Sequence, residues 1–153
     1  VLAILETDLA YMAGFVEADG HISIIETNRK AYNTCYSVQL GITNTNPEIL
    51  EWFAELFEGG RINMKTKVKG RKQGRDIRWN KVGQVKEILT LLLPYLKIKK
   101  VQALLVIEFA DVIQSHEERT GYKGFGPKRY SGEETDLLME LHFGVSSLNR
   151  RGE

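Results

Sequence analysis

Residues Tyr11 to Gly20 read YMAGFVEADG and end a helical stretch that Thr7 or Asp8 can cap. Ala10, Gly14 and Ala18 fall at i, i+4 and i+8, so they form one stripe of small side chains along the helix. Leu9, Met12, Phe15 and Val16 supply its apolar bulk. Glycine inside a helix costs about 1 kcal/mol relative to alanine. A stripe of this kind is therefore expensive to leave in water and suits close approach by another backbone.

The rest of the chain alternates between two periods. HISIIETN places Ile22 and Ile24 on one side and His21, Ser23, Ile25, Thr27 and Arg29 on the other. After a polar tip, Tyr36, Val38, Leu40 and Ile42 alternate with Ser37, Gln39, Gly41 and Thr43. This predicts a hairpin with one apolar and one polar face. Asn46 caps a second helix with Pro47 at its first position; PEILEWFAELFE stops at Gly59-Gly60 and turns Ile49, Leu50, Phe53 and Leu56 or Phe57 inward. A second hairpin runs RINMKTKV, a basic turn, then DIRWNKV, with Ile62, Met64, Ile77 and Trp79 on its apolar face. Helices are predicted over about 82–93 and 99–113, a polar glycine-containing loop over 114–132, and a last helix over about 133–149. The order α-β-β-α-β-β-α-α-α predicts an α+β domain: two hairpins pair into one antiparallel sheet, with helices on its apolar face.

Charge is unevenly spread. Residues 61–100 hold 13 of the chain's 21 Lys and Arg against 2 of its 20 acids, a local charge of +11, and the remainder carries −10. A whole-chain net charge of +1 conceals a face suited to a polyanion. No apolar run approaches the ~20 residues a bilayer requires, and no secretory leader is evident. The single cysteine, Cys35, excludes an intramolecular disulfide and reads as a buried thiol. His21, His116 and His142 lack metal-ligand spacing, and GYKGFG at 121–126 lacks the Lys-Ser/Thr ending of a phosphate loop.

YMAGFVEADG resembles the LAGLIDADG motif, matching at Ala13, Gly14, Ala18, Asp19 and Gly20, with conservative changes at Phe15, Val16 and Glu17. The α-β-β-α-β-β-α order over about 7–113 is similar to the core of the LAGLIDADG homing endonucleases. That resemblance implies a saddle-shaped sheet within one domain over 1–153, with a C-terminal loop and helix over about 114–153. It implies a nuclease hydrolysing double-stranded DNA at a long near-palindromic site. Ala10, Gly14 and Ala18 would form a helix-helix seam. Asp19 and the Ala18 carbonyl would hold Mg²⁺, for which Mn²⁺ or Ca²⁺ can substitute in binding; no organic cofactor is implied. PYLKIKKVQA at 94–103 places Lys99 near the scissile phosphate. Asn46 aligns with a polar residue that orders active-site water, although it is equally a helix cap. Glu17 departs from the more usual Asp at a position that is structural, and Leu50 departs from a basic residue in some relatives.

Recognition of DNA would fall to His21, Ser23, Thr27, Arg29, Ser37, Gln39, Thr43, Lys65, Arg75, Arg78 and Asn80, together with Ile25, Lys30, Arg61, Asn63 and Asp76 on the same strands and turns. Arg suits guanine, and Gln or Asn suits adenine. Lys67, Lys69, Arg71 and Lys72, on a turn, suit phosphates. FGVSSLNRRG near the C-terminus carries no acids in register, so only one motif is present and a homodimer is implied. The resemblance places the protein inside the cell, in an organelle or a prokaryotic cytoplasm. The alternative on the same fold is a non-cleaving intron maturase or DNA-binding regulator.

Overall fold

The computed structural model describes residues 3–29, 32–121 and 130–150. Helix α1 covers Glu6–Asp19 and runs directly into strand β1, Gly20–Arg29. Strand β2 is Tyr32–Asn44, helix α2 Pro47–Leu56, strand β3 Arg61–Met64 and strand β4 Arg75–Trp79. Helix α3, Val82–Leu92, passes through a single 3-10 turn into the segment before α4, Lys100–Thr120, and α5 is Gly132–Asn149. The four strands form one antiparallel sheet in the order β1-β2-β4-β3, so the two hairpins join through β2 and β4. Among the described residues no helix is long and apolar enough to cross a membrane.

The period-2 alternation decides which face is covered. Ile22, Ile24, Val38, Leu40, Ile42, Ile77 and Trp79 are all buried. Across the central pairing Leu40 sits opposite Trp79 and Ile42 opposite Ile77, which gives the helices one continuous apolar floor. Met12, Phe53, Leu89 and Phe109 from four helices close the core on that side. The Trp79 indole, too deep to reach water, donates to the Phe57 carbonyl at 3.0 Å.

Several sequence expectations are corrected. Neither Thr7 nor Asp8 is the cap of α1: Leu5 occupies that position, and Asp8 reaches back from the first turn to accept from the Leu5 N–H at 3.4 Å. Asn46 does cap α2, accepting from the Glu48 and Ile49 N–H groups at 2.9 and 3.2 Å. The strands of the second hairpin are shorter than their alternation suggested, and β3 is an edge strand. Its apolar side is not covered, leaving Ile62 39% and Met64 68% exposed. Helix α4 continues past Ile113 to Thr120, although 114–120 is polar, because His116 turns inward and is buried. It stops where Gly121 adopts a positive φ of 69°. Cys35 is half-buried rather than buried. Lys30 and residues 122–129, which include most of the GYKGFG run, lie outside the described residues.

Helix α5 packs on α4 and β1 through Leu138, Leu141 and Val145. Its first turn is fastened to the end of α4 by Glu134. That carboxylate accepts from the Ser131 N–H at 2.9 Å, pairs with Arg119 at 2.8 Å and lies 3.1 Å from His116 Nδ1. Burial pushes the Glu134 carboxyl up, but the hydrogen bonds from the Ser131 backbone and Arg119 outweigh it and hold the group at about 2, below its ordinary 4.5. Because the folded carboxyl titrates lower than the unfolded one, its contribution is complete above about pH 4.5 and is lost as pH falls toward 2. Glu134→Gln is expected to lower the urea midpoint at neutral pH, with the difference from wild type shrinking across that window. No difference at neutral pH would show that α5 is held by its apolar face alone.

Candidate active site and polar sheet face

The last turn of α1 has carbonyls without an in-helix partner, although the Val16 carbonyl accepts the N–H of the capping Gly20. The segment between α3 and α4 supplies two sets of partners. Lys99 Nζ donates to the Val16 carbonyl at 2.8 Å and to the Gly20 carbonyl at 2.5 Å. In the other direction, Glu17 accepts from the backbone N–H of Lys97, and its two oxygens accept from Ile98 N–H at 3.0 and 2.8 Å. The two elements are thus locked reciprocally, a side chain of each holding backbone of the other. Asp19, the last residue of the helix, lies in sequence between the two residues whose carbonyls Lys99 grips, and it is exposed. Glu17, read from the sequence as structural, is half of this lock and is committed to backbone N–H groups.

Asn44 was not singled out by sequence reasoning. Its Nδ2 lies 3.5 Å from Asp19 Oδ2, and its Oδ1 accepts from the Asn46 N–H at 2.8 Å. The signal was available: Asn44 follows Leu40 and Ile42 on the covered register of β2, where a polar side chain is out of place. Asn46 itself is turned to its cap, so beside Asp19 the polar side chain is Asn44. The two asparagines line a cleft of about 350 Å³ with Tyr11, Phe15, Glu48, Ile49 and Trp52.

Gly20 is required by space. A Cβ there would lie 2.6 Å from Val16 Cα and 2.8 Å from the Val16 oxygen, both backbone atoms. Gly14 has the opposite surroundings, with nothing within 4 Å of its would-be Cβ. Ala10, Gly14 and Ala18 are all exposed, so the small stripe faces away from the chain's own core.

The polar face begins where Asp19 ends. His21 is half-buried and hydrogen-bonds through Nε2 to Gln39 Oε1 at 2.9 Å; Gln39 Nε2 donates to Asn80 Oδ1 at 3.2 Å. Burial pushes the His21 imidazole below its ordinary value, an effect only partly offset by the Gln39 hydrogen bond. Ser23, Ile25, Thr27, Ser37 and Thr43 occupy the same face; beyond Thr27 the pairing of β1 with β2 shifts register before Arg29. Between β3 and β4, Arg61 pairs with Arg78, and Asn63 with Asp76.

Two of the expected DNA contacts are placed otherwise. Asp76 is 1% exposed and receives Arg78 Nε and Nη2, both at 2.6 Å to Oδ2; it aims the arginine and offers no open surface. Arg75 lies on the Ile77 and Trp79 side of β4, and its Nη1 donates to the Thr45 carbonyl at 3.2 Å. Lys65, Lys67, Lys69, Arg71 and Lys72 are exposed on the connection between β3 and β4. That connection is held by Lys65 N–H to the Gly74 carbonyl at 2.9 Å and by Gln73 Nε2 to the Lys65 carbonyl at 2.7 Å.

An open antiparallel sheet with one bare polar face, and an acid at a helix end beside it, is the arrangement of a groove-binding nuclease fold. Solved structures share it. The homing endonuclease I-CvuI, in complex with its target in the presence of calcium, is 23% identical, with a TM-score of 0.71 over 97% of this chain and 85% of that chain. The archaeal intron-encoded homing endonuclease I-Vdi141I, complexed with DNA, is 19% identical, with a TM-score of 0.74 over 97% and 87%. The homing endonuclease I-TnaI is 12% identical, with a TM-score of 0.70 over 99% and 92%. At these identities the likeness is one of fold. No curated protein sequence matches the chain. The LAGLIDADG endonuclease family profile matches residues 12–116, well over half its length. The chain belongs to the LAGLIDADG endonuclease family, and by that membership it is a DNA endonuclease, a hydrolase.

Gly20→Ala is expected to cost about 1–3 kcal/mol, because backbone must yield; chemical denaturation measures it. Glu17→Ala leaves two backbone N–H groups without their acceptor and frees the Lys99 segment. It should reduce cleavage as well as stability, and a variant with wild-type cleavage would show that the lock does not position the site.

Proposed function

We propose that this protein is a site-specific homing endonuclease that cuts double-stranded DNA as a homodimer with a divalent metal ion. The observation that carries the reading is the coincidence, at one helix end, of an exposed Asp19, a locked Lys99 and a bare small-residue stripe. The donors fit a hard cation: the Asp19 carboxylate and the Ala18 carbonyl are oxygens, of the kind that hold Mg²⁺ with several waters retained. Among the described residues no cluster of three or more His, Cys, Asp or Glu side chains could hold a metal within one chain. Pairing of α1 with α1 of a second copy about a two-fold axis brings two Asp19 carboxylates toward one another at the end of the seam. A metal bound there supplies an activated water and neutralises charge on the leaving oxygen.

The chain's own residues do the remaining work. The carboxylate and the negative end of α1 repel a phosphate; the Lys99 ammonium, set on the carbonyls of that end, offsets the repulsion and stabilises charge that builds as the phosphodiester breaks. Asn44 steadies the Asp19 carboxylate, with Asn46 fixing Asn44 through its backbone N–H. Ser23, Gln39, Thr43, Arg78 and Asn80 face the major groove, which admits a two-stranded ribbon. The basic connection between β3 and β4 holds phosphates.

Incubation with a randomised duplex library and Mg²⁺, followed by sequencing of the ends, tests the reading. Wild type is expected to cut near-palindromic sites, and Asp19→Asn to lose at least about 100-fold in rate with binding kept. Wild type that binds tightly and never cuts would instead support a maturase or regulator. Gly14→Leu, unopposed within the monomer, should leave the fold intact and shift sedimentation from dimer to monomer; a dimer that survives it would remove the stripe from the seam. Replacing Lys67, Lys69, Arg71 and Lys72 together with alanine should flatten the log-log salt dependence of binding by about 0.9 for each phosphate no longer neutralised. An unchanged slope would remove that turn from the DNA.

A further inference from the structure

Gly41 lies on the polar face of β2, where nothing in the fold demands a glycine through a positive φ. In register it stands between His21 on β1 and Arg78 on β4. It is nevertheless buried, because the His21 ring leans across the strand boundary and covers it. A Cβ at Gly41 would lie 2.2 Å from His21 Cε1, 2.7 Å from Nε2 and 3.0 Å from Nδ1. From that seat the ring reaches diagonally to Gln39 Oε1, and Gln39 passes the connection to Asn80, just past the end of the neighbouring strand β4. Three side chains from three segments are thus joined before any ligand arrives. Each amide end is committed. Gln39 Oε1 accepts from His21 and its Nε2 donates to Asn80 Oδ1, which leaves the Asn80 NH₂ as the group turned outward. A glutamine or asparagine with fixed polarity discriminates among base edges; one free to flip reads donors and acceptors alike.

We propose that Gly41 is a specificity-determining position: it seats the His21 ring so that His21, Gln39 and Asn80 read DNA as one unit. The inference rests on the nuclease reading above. His21 is two residues after Asp19, so the base pairs concerned are those beside the cut.

The test is the cleavage profile of wild type, Gly41→Ala, His21→Ala, Gln39→Ala and the double variant His21→Ala/Gly41→Ala on a randomised duplex library in Mg²⁺. Gly41→Ala and His21→Ala are expected to lose preference at the same positions, by about tenfold per base pair read, with Gln39→Ala overlapping them. The double variant should match His21→Ala, because the methyl group has room once the ring is gone. The thermal midpoint of Gly41→Ala should stay near that of wild type, since the clash is with the end of a side chain that can rotate away. Gly41→Ala with the wild-type profile, or with losses at positions unlike those of His21→Ala, overturns the proposal. If Gly41→Ala fails to fold, the double variant decides: the His21→Ala profile supports the seat, and failure of both overturns it. A wild type that cuts nothing in the library sinks the nuclease reading and this inference together; variants sharing the profile of an active wild type sink this inference alone.

Discussion

The reciprocal lock between the end of α1 and the segment before α4 is the contact on which the candidate site depends. Neither half is strong by itself. Glu17 and Lys99 are near the surface, where a simple ion pair contributes little. Each instead bonds to backbone groups of the other segment, and charge-assisted bonds to backbone are worth more than exposed pairs. The arrangement also fixes positions that the chain order does not. Asp19 and Lys99 are far apart in sequence, and their segments meet because Glu17 holds Lys97 and Ile98 while Lys99 holds Val16 and Gly20. Gly20 belongs to the same device, since only a hydrogen there lets β1 leave the helix so closely against Val16.

The sheet adds direction to this anchor. Strand β1 starts at the residue after Asp19, so the polar register of the sheet is counted from the acid itself. A slip of one residue would send His21 and Gln39 into the core and Ile22 and Leu40 into solvent. The burial of the apolar register therefore sets the polar face as firmly as it sets the fold. Asp76 shows how such a face is tuned from below: a buried carboxylate fixes an arginine that is itself partly open to solvent.

The fold was legible because two periods carried it. Alternation was plain over 36–43 and carried by Ile22 and Ile24 in the first strand despite Glu26, the Asn46-Pro47 start of α2 was clear, and the motif placed Asp19 at a helix end. Legibility failed where the outcome depended on distant partners. Arg75 shares the parity of Ile77 and Trp79, which sets it apart from Arg78, but its turn to the Thr45 carbonyl depends on a partner distant in the chain. The edge position of β3 decided the exposure of Ile62 and Met64. Polar residues 114–120 look like a loop until α5 brings Glu134 against His116 and Arg119. Asn44 was overshadowed by Asn46, whose value as a cap was visible and is seen in its bonds to the Glu48 and Ile49 N–H groups.

What the monomer leaves bare is as informative as what it buries. Helix α1 has Met12, Ala13 and Val16 fully buried on one side and Ala10, Gly14 and Ala18 exposed on the other, so both faces are apolar. An exposed helix face in a self-sufficient domain is normally polar, and glycine in such a face lowers helix stability without compensation inside the chain. Gly14 meets none of its own molecule's atoms that a methyl group would disturb. A glycine that the fold does not use, in line with two alanines and ending on Asp19, fits the close approach of a second backbone in the proposed dimer. The same approach would supply the second carboxylate that one chain lacks. On that reading the seam and the chemistry are one requirement, and the helix satisfies the first in the act of presenting the second.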